Sequence, residues 1–172
     1  MAGLKDLSAG KEAPQEVRAV IEIAQGSNIK YEVDAETGIL TVDRFLHTAM
    51  NYPFNYGFIP GTLAADGDPL DVLVLSRYPV QPGSVMMVKP IGVLLMEDEG
   101  GEDEKIVAVP RAKVDPFYGV FEEVEELPAV LREQIRHFFE HYKDLEKGKW
   151  VKVGQWQDAA AARKMVEKYL QS

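Results

Sequence analysis

The chain has no cysteine, which removes disulfides, thiolate nucleophiles and thiolate metal ligands together. That absence fits a reducing compartment, so a cytoplasmic setting is expected. No apolar run approaches the roughly 20 residues of a membrane-spanning helix. Residues 1–11 are polar and lack the apolar stretch of a signal peptide. A soluble protein with no membrane partner is therefore expected. Basic charge is also short: 19 Lys and Arg stand against 28 Asp and Glu, a formal net charge of −9. Phosphate backbones are held by excess Lys and Arg, so no nucleic-acid partner is expected. The acidic excess suits a protein that holds several divalent cations.

Several chemical signatures are missing too. There is no Gly-x-Ser-x-Gly elbow, no Walker A string and no Gly-x-Gly-x-x-Gly fingerprint. Repeats, low-complexity tracts and linkers are equally absent. The 172 residues suit one domain over positions 1–172 with a substantial core.

The most informative segment is residues 66–71, Asp-Gly-Asp-Pro-Leu-Asp, directly before the apolar run Val-Leu-Val-Leu. Asp66, Asp68 and Asp71 lie on a loop stiffened by Pro69 and loosened by Gly67. They can converge on hard cations, and without cations their proximity is costly. Alone, such a run also reads as a plain turn. A second acidic cluster, Glu97-Asp98-Glu99 and Glu102-Asp103-Glu104 around Gly100-Gly101, strengthens the metal reading. A hairpin turning at those glycines would bring Asp98 and Asp103 together. Oxygen donors of this kind suit Mg2+, Mn2+ or Ca2+. An EF-hand does not fit: counted from Asp66, its sixth and twelfth positions hold Asp71 and Arg77 where Gly and Glu are required.

The remaining pattern is strands followed by helices. Strands are expected over 17–24, 30–33, 39–45, 72–75, 85–96 and 105–109, with 30–33 and 39–45 paired as a hairpin about Glu36-Thr37-Gly38. Their spacing suggests a small closed or highly twisted sheet. The aromatic, turn-rich segment 51–61 reads as an ordered loop. Leu131, Ile135, Phe138, Tyr142 and Leu145 form one helical stripe that opens near Pro128 and stops at Gly148. Asp158 caps a last helix that ends near Leu170. The class is α+β.

Glu22 and Glu32 lie inside strand segments, where each reads either as a solvated face or as a ligand. Lys30, Arg44, Lys105 and Lys143, with Tyr56 and Tyr142, share the segments that carry the acids. Metals and basic groups together bind a phosphate ester or anhydride. With no side-chain nucleophile in view, attack by a water activated between two cations is the economical chemistry. Asp68, the middle carboxylate, is the natural base. His137 and His141 stand i, i+4 on one helix, a spacing that suits a transition metal or a subunit contact.

These motifs together resemble the soluble family I inorganic pyrophosphatases of prokaryotic type. The resemblance runs from about Lys11 to the last helix. It is carried by the 66–71 run, by Ile-Lys-Tyr-Glu at 29–32, Val-Asp-Arg-Phe at 42–45 and Tyr-Pro-x-Asn-Tyr-Gly-Phe at 52–58. The 97–105 acidic hairpin and His-Phe-Phe-Glu-His-Tyr-Lys at 137–143 complete it. It implies a five-stranded OB-like β-barrel with peripheral C-terminal helices that hydrolyses pyrophosphate with several Mg2+ ions, Mn2+ or Zn2+ being substitutes. By resemblance, Asp66, Asp71 and Asp103 hold the tight metals, with Asp71 bridging. Asp98, Asp103 and Glu22 hold those that arrive with substrate, Glu32 acts through water, and Asp68 is the base. Lys30, Arg44, Tyr56, Lys105, Tyr142 and Lys143 form the pyrophosphate pocket. A homohexamer of two stacked trimers is implied, with His137 and His141 between subunits. One departure stands out: Ala24 replaces a proline often found after the pair that Glu22 opens. A nucleotide or polyphosphate hydrolase is a rival reading, and a non-enzymatic divalent-cation-binding module is another. The module leaves Lys30, Arg44, Lys105 and Lys143 without a role.

Overall fold

The computed structural model describes residues 3–172. Met1 and Ala2, the start of the polar opening segment, lie outside the described residues. The chain forms β1 (Val17–Ile23), β2 (Ile29–Val33), β3 (Leu40–Phe45), β4 (Asn55–Ile59), β5 (Leu70–Val74), β6 (Val85–Asp98), β7 (Gly101–Glu102) and β8 (Lys105–Pro110). Helix α1 (Ala129–His141), β9 (Val151–Asp158) and α2 (Ala159–Tyr169) follow.

Five strands close into a ring in the order β1–β4–β5–β8–β6, and β6 returns to pair with β1. Strands β5 and β8 run parallel, and the other ring pairs are antiparallel. Closure depends on the length of β6. Its first residues pair with β1, its middle with β8 and its last part with β9, with register shifts at Pro90/Gly92 and Leu94/Met96. Such irregularities bend a strand and let a sheet turn its corner. The fold is therefore OB-like and α+β, the class the sequence predicts.

Strand β5 shows why its apolar run is unbroken. Leu73 and Leu75, with Val107 and Val109 of β8, enter a core shared with Tyr52, Phe138, Phe139 and Tyr142. Val72, Val74, Ile106 and Ala108 enter a second core with Ala162, Val166 and Tyr169. A strand covered on both faces has no polar side to alternate with. Strand β4 is pressed close to β1: a Cβ on Gly57 would lie 1.8 Å from the Val20 carbonyl oxygen. Only a residue without a side chain fits there.

Buried Asn55 locks the entry to β4. Its Nδ2 donates to the Val74 carbonyl at 3.1 Å and to Ser76 Oγ at 2.7 Å. Its Oδ1 accepts from the Gln25 and Val80 amides at 3.1 and 2.9 Å. All four hydrogen bonds of the amide are thus made.

Three expectations are corrected. Part of the expected loop at 51–61 is strand β4, buried at every position, so no period-two signal marked it. Strand β9 lies outside the strands expected from the sequence; it runs unbroken through Gly154, where a Cβ would come within 3.0 Å of the Leu95 carbonyl. Helix α1 ends at His141, and the chain passes through turns to Gly148 at φ +78°. Leu145 is consequently 67% exposed while Lys143 and Glu146 turn inward. The last helix begins as expected, with Asp158 Oδ1 accepting from the Ala161 amide at 2.9 Å. Among the described residues, no helix is long and apolar enough to cross a membrane.

Candidate functional site

Strands β2 and β3 form a separate two-stranded sheet beside the ring. Glu22 of β1 ties that hairpin down, its Oε2 accepting from the Val33 amide at 2.7 Å. Between hairpin and ring lies a cleft of about 150 Å³. It is lined by Glu22, Lys30, Tyr31, Glu32, Tyr52, Tyr56, Asp66, Asp68, Asp71, Asp98, Asp103, Lys105, Tyr142 and Lys143.

The acidic loop is shaped by its own side chains. Asp66 Oδ1 accepts from the Asp68 amide at 3.0 Å, and the Ala64 amide donates to the Asp68 carbonyl at 2.7 Å. Gly67 takes φ +88° in the turn, a conformation that suits glycine. The loop feeds β5, where Asp71 stands opposite Phe58 on one side and Lys105 on the other. Asp98 closes β6 opposite Gly101, and Asp103 follows β7, with its amide donating to the Met96 carbonyl at 2.9 Å. The turn at Gly100-Gly101 thus delivers both carboxylates to the cleft lining.

Lysines organise these acids. Lys105 is 2% exposed, and its Nζ donates to Asp71 Oδ2 at 2.7 Å, Asp103 Oδ1 at 2.8 Å and Tyr56 Oη at 2.8 Å. Burial opposes its charge, but Asp71, Tyr56 and Asp103 hold its pKa well above the ordinary lysine value. Lys143 lies 3.0 Å from Asp98 Oδ2 and 3.5 Å from Glu99 Oε1. Its pKa is raised although burial works the other way, chiefly by Tyr142 and the bond to Asp98. Lys30 lies 2.9 Å from Glu32 Oε1 and 3.7 Å from Asp43 Oδ2. Tyr52 and Tyr56 are held neutral by burial, well above the usual phenol range, so each hydroxyl can donate as well as accept.

Charge in the cleft is unbalanced. Seven carboxylates face three ammonium groups among the lining residues. Desolvation, then Asp66 and Glu32, raise Asp68, and desolvation together with Asp71 raises Asp103 against the pull of Lys105. Glu22 is pushed up to about 8, first by burial and then by Asp71 and Glu32, against the Val33 hydrogen bond. Among the described residues, no three carboxylates stand close enough to hold a cation as they are; Lys105 and Lys143 stand among them instead. The donor set nevertheless fits hard cations. Every candidate ligand is an oxygen, no histidine or sulfur lines the cleft, and the excess charge is what a divalent ion would neutralise.

A pH effect on stability follows. Between about 4.5 and about 8, folded Glu22 keeps a proton that the unfolded chain releases. Its contribution is therefore fully present below the unfolded pKa and is lost as pH rises through the folded one. With a chelator present, the denaturant midpoint should fall from pH 5 to pH 9. Glu22→Gln should flatten that slope; an equally steep slope in the variant would remove Glu22 as its source.

Arg44 is the expected pocket residue that the cleft lining does not include. It stands opposite Lys30 in the hairpin and pairs with Asp43 and Glu146. Tyr31 and Tyr52 line the cleft without having been singled out; both lie inside the motifs at 29–32 and 52–58, where core packing accounted for an aromatic equally well. His137 and His141 lie outside the cleft, exposed on α1 with ring centroids 4.7 Å apart, and His141 Nδ1 is 2.7 Å from Asp144 Oδ2.

Similarity to known proteins is extensive. The family model described as inorganic pyrophosphatase matches residues 19–172. The inorganic pyrophosphatase of Aquifex pyrophilus is 58% identical over 170 residues, covering 99% of this chain and 96% of the relative. That of Escherichia coli K12 is 57% identical over 161 residues, covering 93% and 92%. The crystal structure of the Thermus thermophilus inorganic pyrophosphatase superposes with a TM-score of 0.92 at 49% identity, covering 96% of this chain and 95% of that one.

Proposed function

The chain belongs to the inorganic pyrophosphatase family, and on that premise we propose that its cleft hydrolyses inorganic pyrophosphate to two phosphates with Mg2+. The observation that carries this reading is the meeting of seven carboxylates with three lysines in one cleft of about 150 Å³.

Asp66, Asp71 and Asp103 would hold the resident cations, and Asp98, Glu22 and, through water, Glu32 those that accompany substrate. Bound Mg2+ supplies charge neutralisation at the phosphate oxygens and acidifies water. The chain's own groups do the rest. Lys30, Lys105 and Lys143 neutralise phosphate oxygens, and the Tyr56 and Tyr142 hydroxyls orient them. Arg44 meets the leaving phosphate from the hairpin. Asp68, exposed at the loop tip and with a raised pKa, accepts the proton of the attacking water.

One domain spanning the chain, a cytoplasmic setting and a homohexamer of two trimers belong to the same proposal. The exposed His137 and His141 on α1 support a subunit contact there. The cation-module reading accounts for the acids but not for Lys105 buried among them. Competition separates a pyrophosphatase from a general phosphohydrolase. Phosphate release from pyrophosphate should proceed in Mg2+ with little release from ATP supplied alone; comparable release from both would overturn the selectivity.

A further inference from the structure

Glu146 is a buried carboxylate that neither metal nor substrate binding explains. It follows α1 in the turn that also carries Lys143, whose carbonyl accepts from the Glu146 amide at 2.9 Å. Its side chain is 7% exposed, and Oε1 lies 2.9 Å from Arg44 Nε on β3. The pair is close yet incompletely bonded: neither Arg44 Nε nor Glu146 Oε2 completes an aligned hydrogen bond. Arg44 Nη1 is taken by Asp43, and Nη2 has no hydrogen-bond partner among the described residues.

A buried ion pair is a poor device for stability alone, because an apolar pair of similar volume holds a fold as well or better. The position of this one gives it another use. Glu22 fixes the hairpin at β2, and Glu146 fixes it at β3. Glu146 therefore sets the span between Lys30 and Arg44 on the hairpin and Tyr142 and Lys143 after α1. It also pairs with the guanidinium at Nε, which leaves Nη2 uncommitted.

We propose that Glu146 is a positioning residue for pyrophosphate hydrolysis, acting through Arg44. It fixes the hairpin's guanidinium against the turn that carries Lys143, so that both sides of the cleft grip one diphosphate. The inference rests on the pyrophosphatase reading.

Steady-state phosphate release with Mg2+ tests it in wild type, Glu146→Gln, Arg44→Ala and the double variant. Glu146→Gln is nearly isosteric and keeps an acceptor but loses the charge. Its KM for pyrophosphate should rise roughly tenfold, the scale of one charge-assisted hydrogen bond, with a much smaller change in kcat. In the Arg44→Ala background the same change should have no further effect on KM. An unchanged KM in Glu146→Gln, or independent multiplication of the two effects, would overturn the proposal. A merely structural glutamate would lower the melting temperature without that split. If Glu146→Gln does not fold, Glu146→Asp, which withdraws the charge by one methylene, carries the same comparison. Wild-type protein without turnover would refute the parent reading; active wild type with an indifferent Glu146→Gln would refute this one alone.

Discussion

Asp71→Ala should lose nearly all pyrophosphate turnover, by more than any other single carboxylate in the cleft. Two roles are lost at once. The proposed site loses the acid that serves two cations, and removal of even an outer-sphere partner of a ligand costs about 10–100-fold in metal affinity. Buried Lys105 also loses its 2.7 Å partner and keeps only Asp103 and Tyr56. A buried charge stripped of a partner costs about 3–5 kcal/mol, and the remaining bonds should hold the loss toward or below the lower end. Asp71→Ala should therefore also unfold at lower denaturant in the absence of metal. Asp71→Asn separates the roles: the amide oxygen still accepts from Lys105, so stability should recover more than turnover. Turnover near wild type in Asp71→Ala would remove this residue from the cation site.

Asp68→Asn should behave differently. Asp68 makes no ion pair with any lysine in the cleft, and its backbone already shapes the loop through the Asp66 and Ala64 bonds. The substitution should leave folding and Mg2+ binding close to wild type. Loss of a general base slows turnover by roughly 10²–10⁴-fold. Isothermal titration with Mg2+ and kcat measured on the same preparation check both halves. A variant with intact turnover would take the base away from Asp68. Lost turnover accompanied by lost Mg2+ binding would make it a ligand instead.

How far residues alone disclose such a site depends on whether a signal is local. The 66–71 run is legible because its carboxylates, glycine and proline are contiguous and β5 begins at Leu70. The Gly100-Gly101 turn is legible for the same reason, and Asp98 and Asp103 arrive together through a short hairpin. Strand β4 is hidden: burial on both faces erases alternation, and Gly57 and the aromatics imitate a loop. The end of α1 is hidden by its own stripe, because Tyr142 and Leu145 continue the period past the point where the backbone leaves the helix. Lys105 looks like any strand lysine until Asp71, Asp103 and Tyr56 are seen around it. Glu146 is least legible of all, since its partner Arg44 lies on a distant strand. Resemblance to a family carried over the residues with motif positions. The tertiary structure was needed to place Arg44 outside the cleft lining and Tyr31 and Tyr52 within it.

The most direct test of the central claim is phosphate release from pyrophosphate by the wild-type protein through one metal cycle. Release is followed in Mg2+, after addition of EDTA, and after excess Mg2+ is restored. The cleft described here predicts rapid release, its loss on chelation and its recovery on restoration, with the fold retained throughout. Absence of release from folded protein in Mg2+, or release indifferent to the chelator, would contradict it.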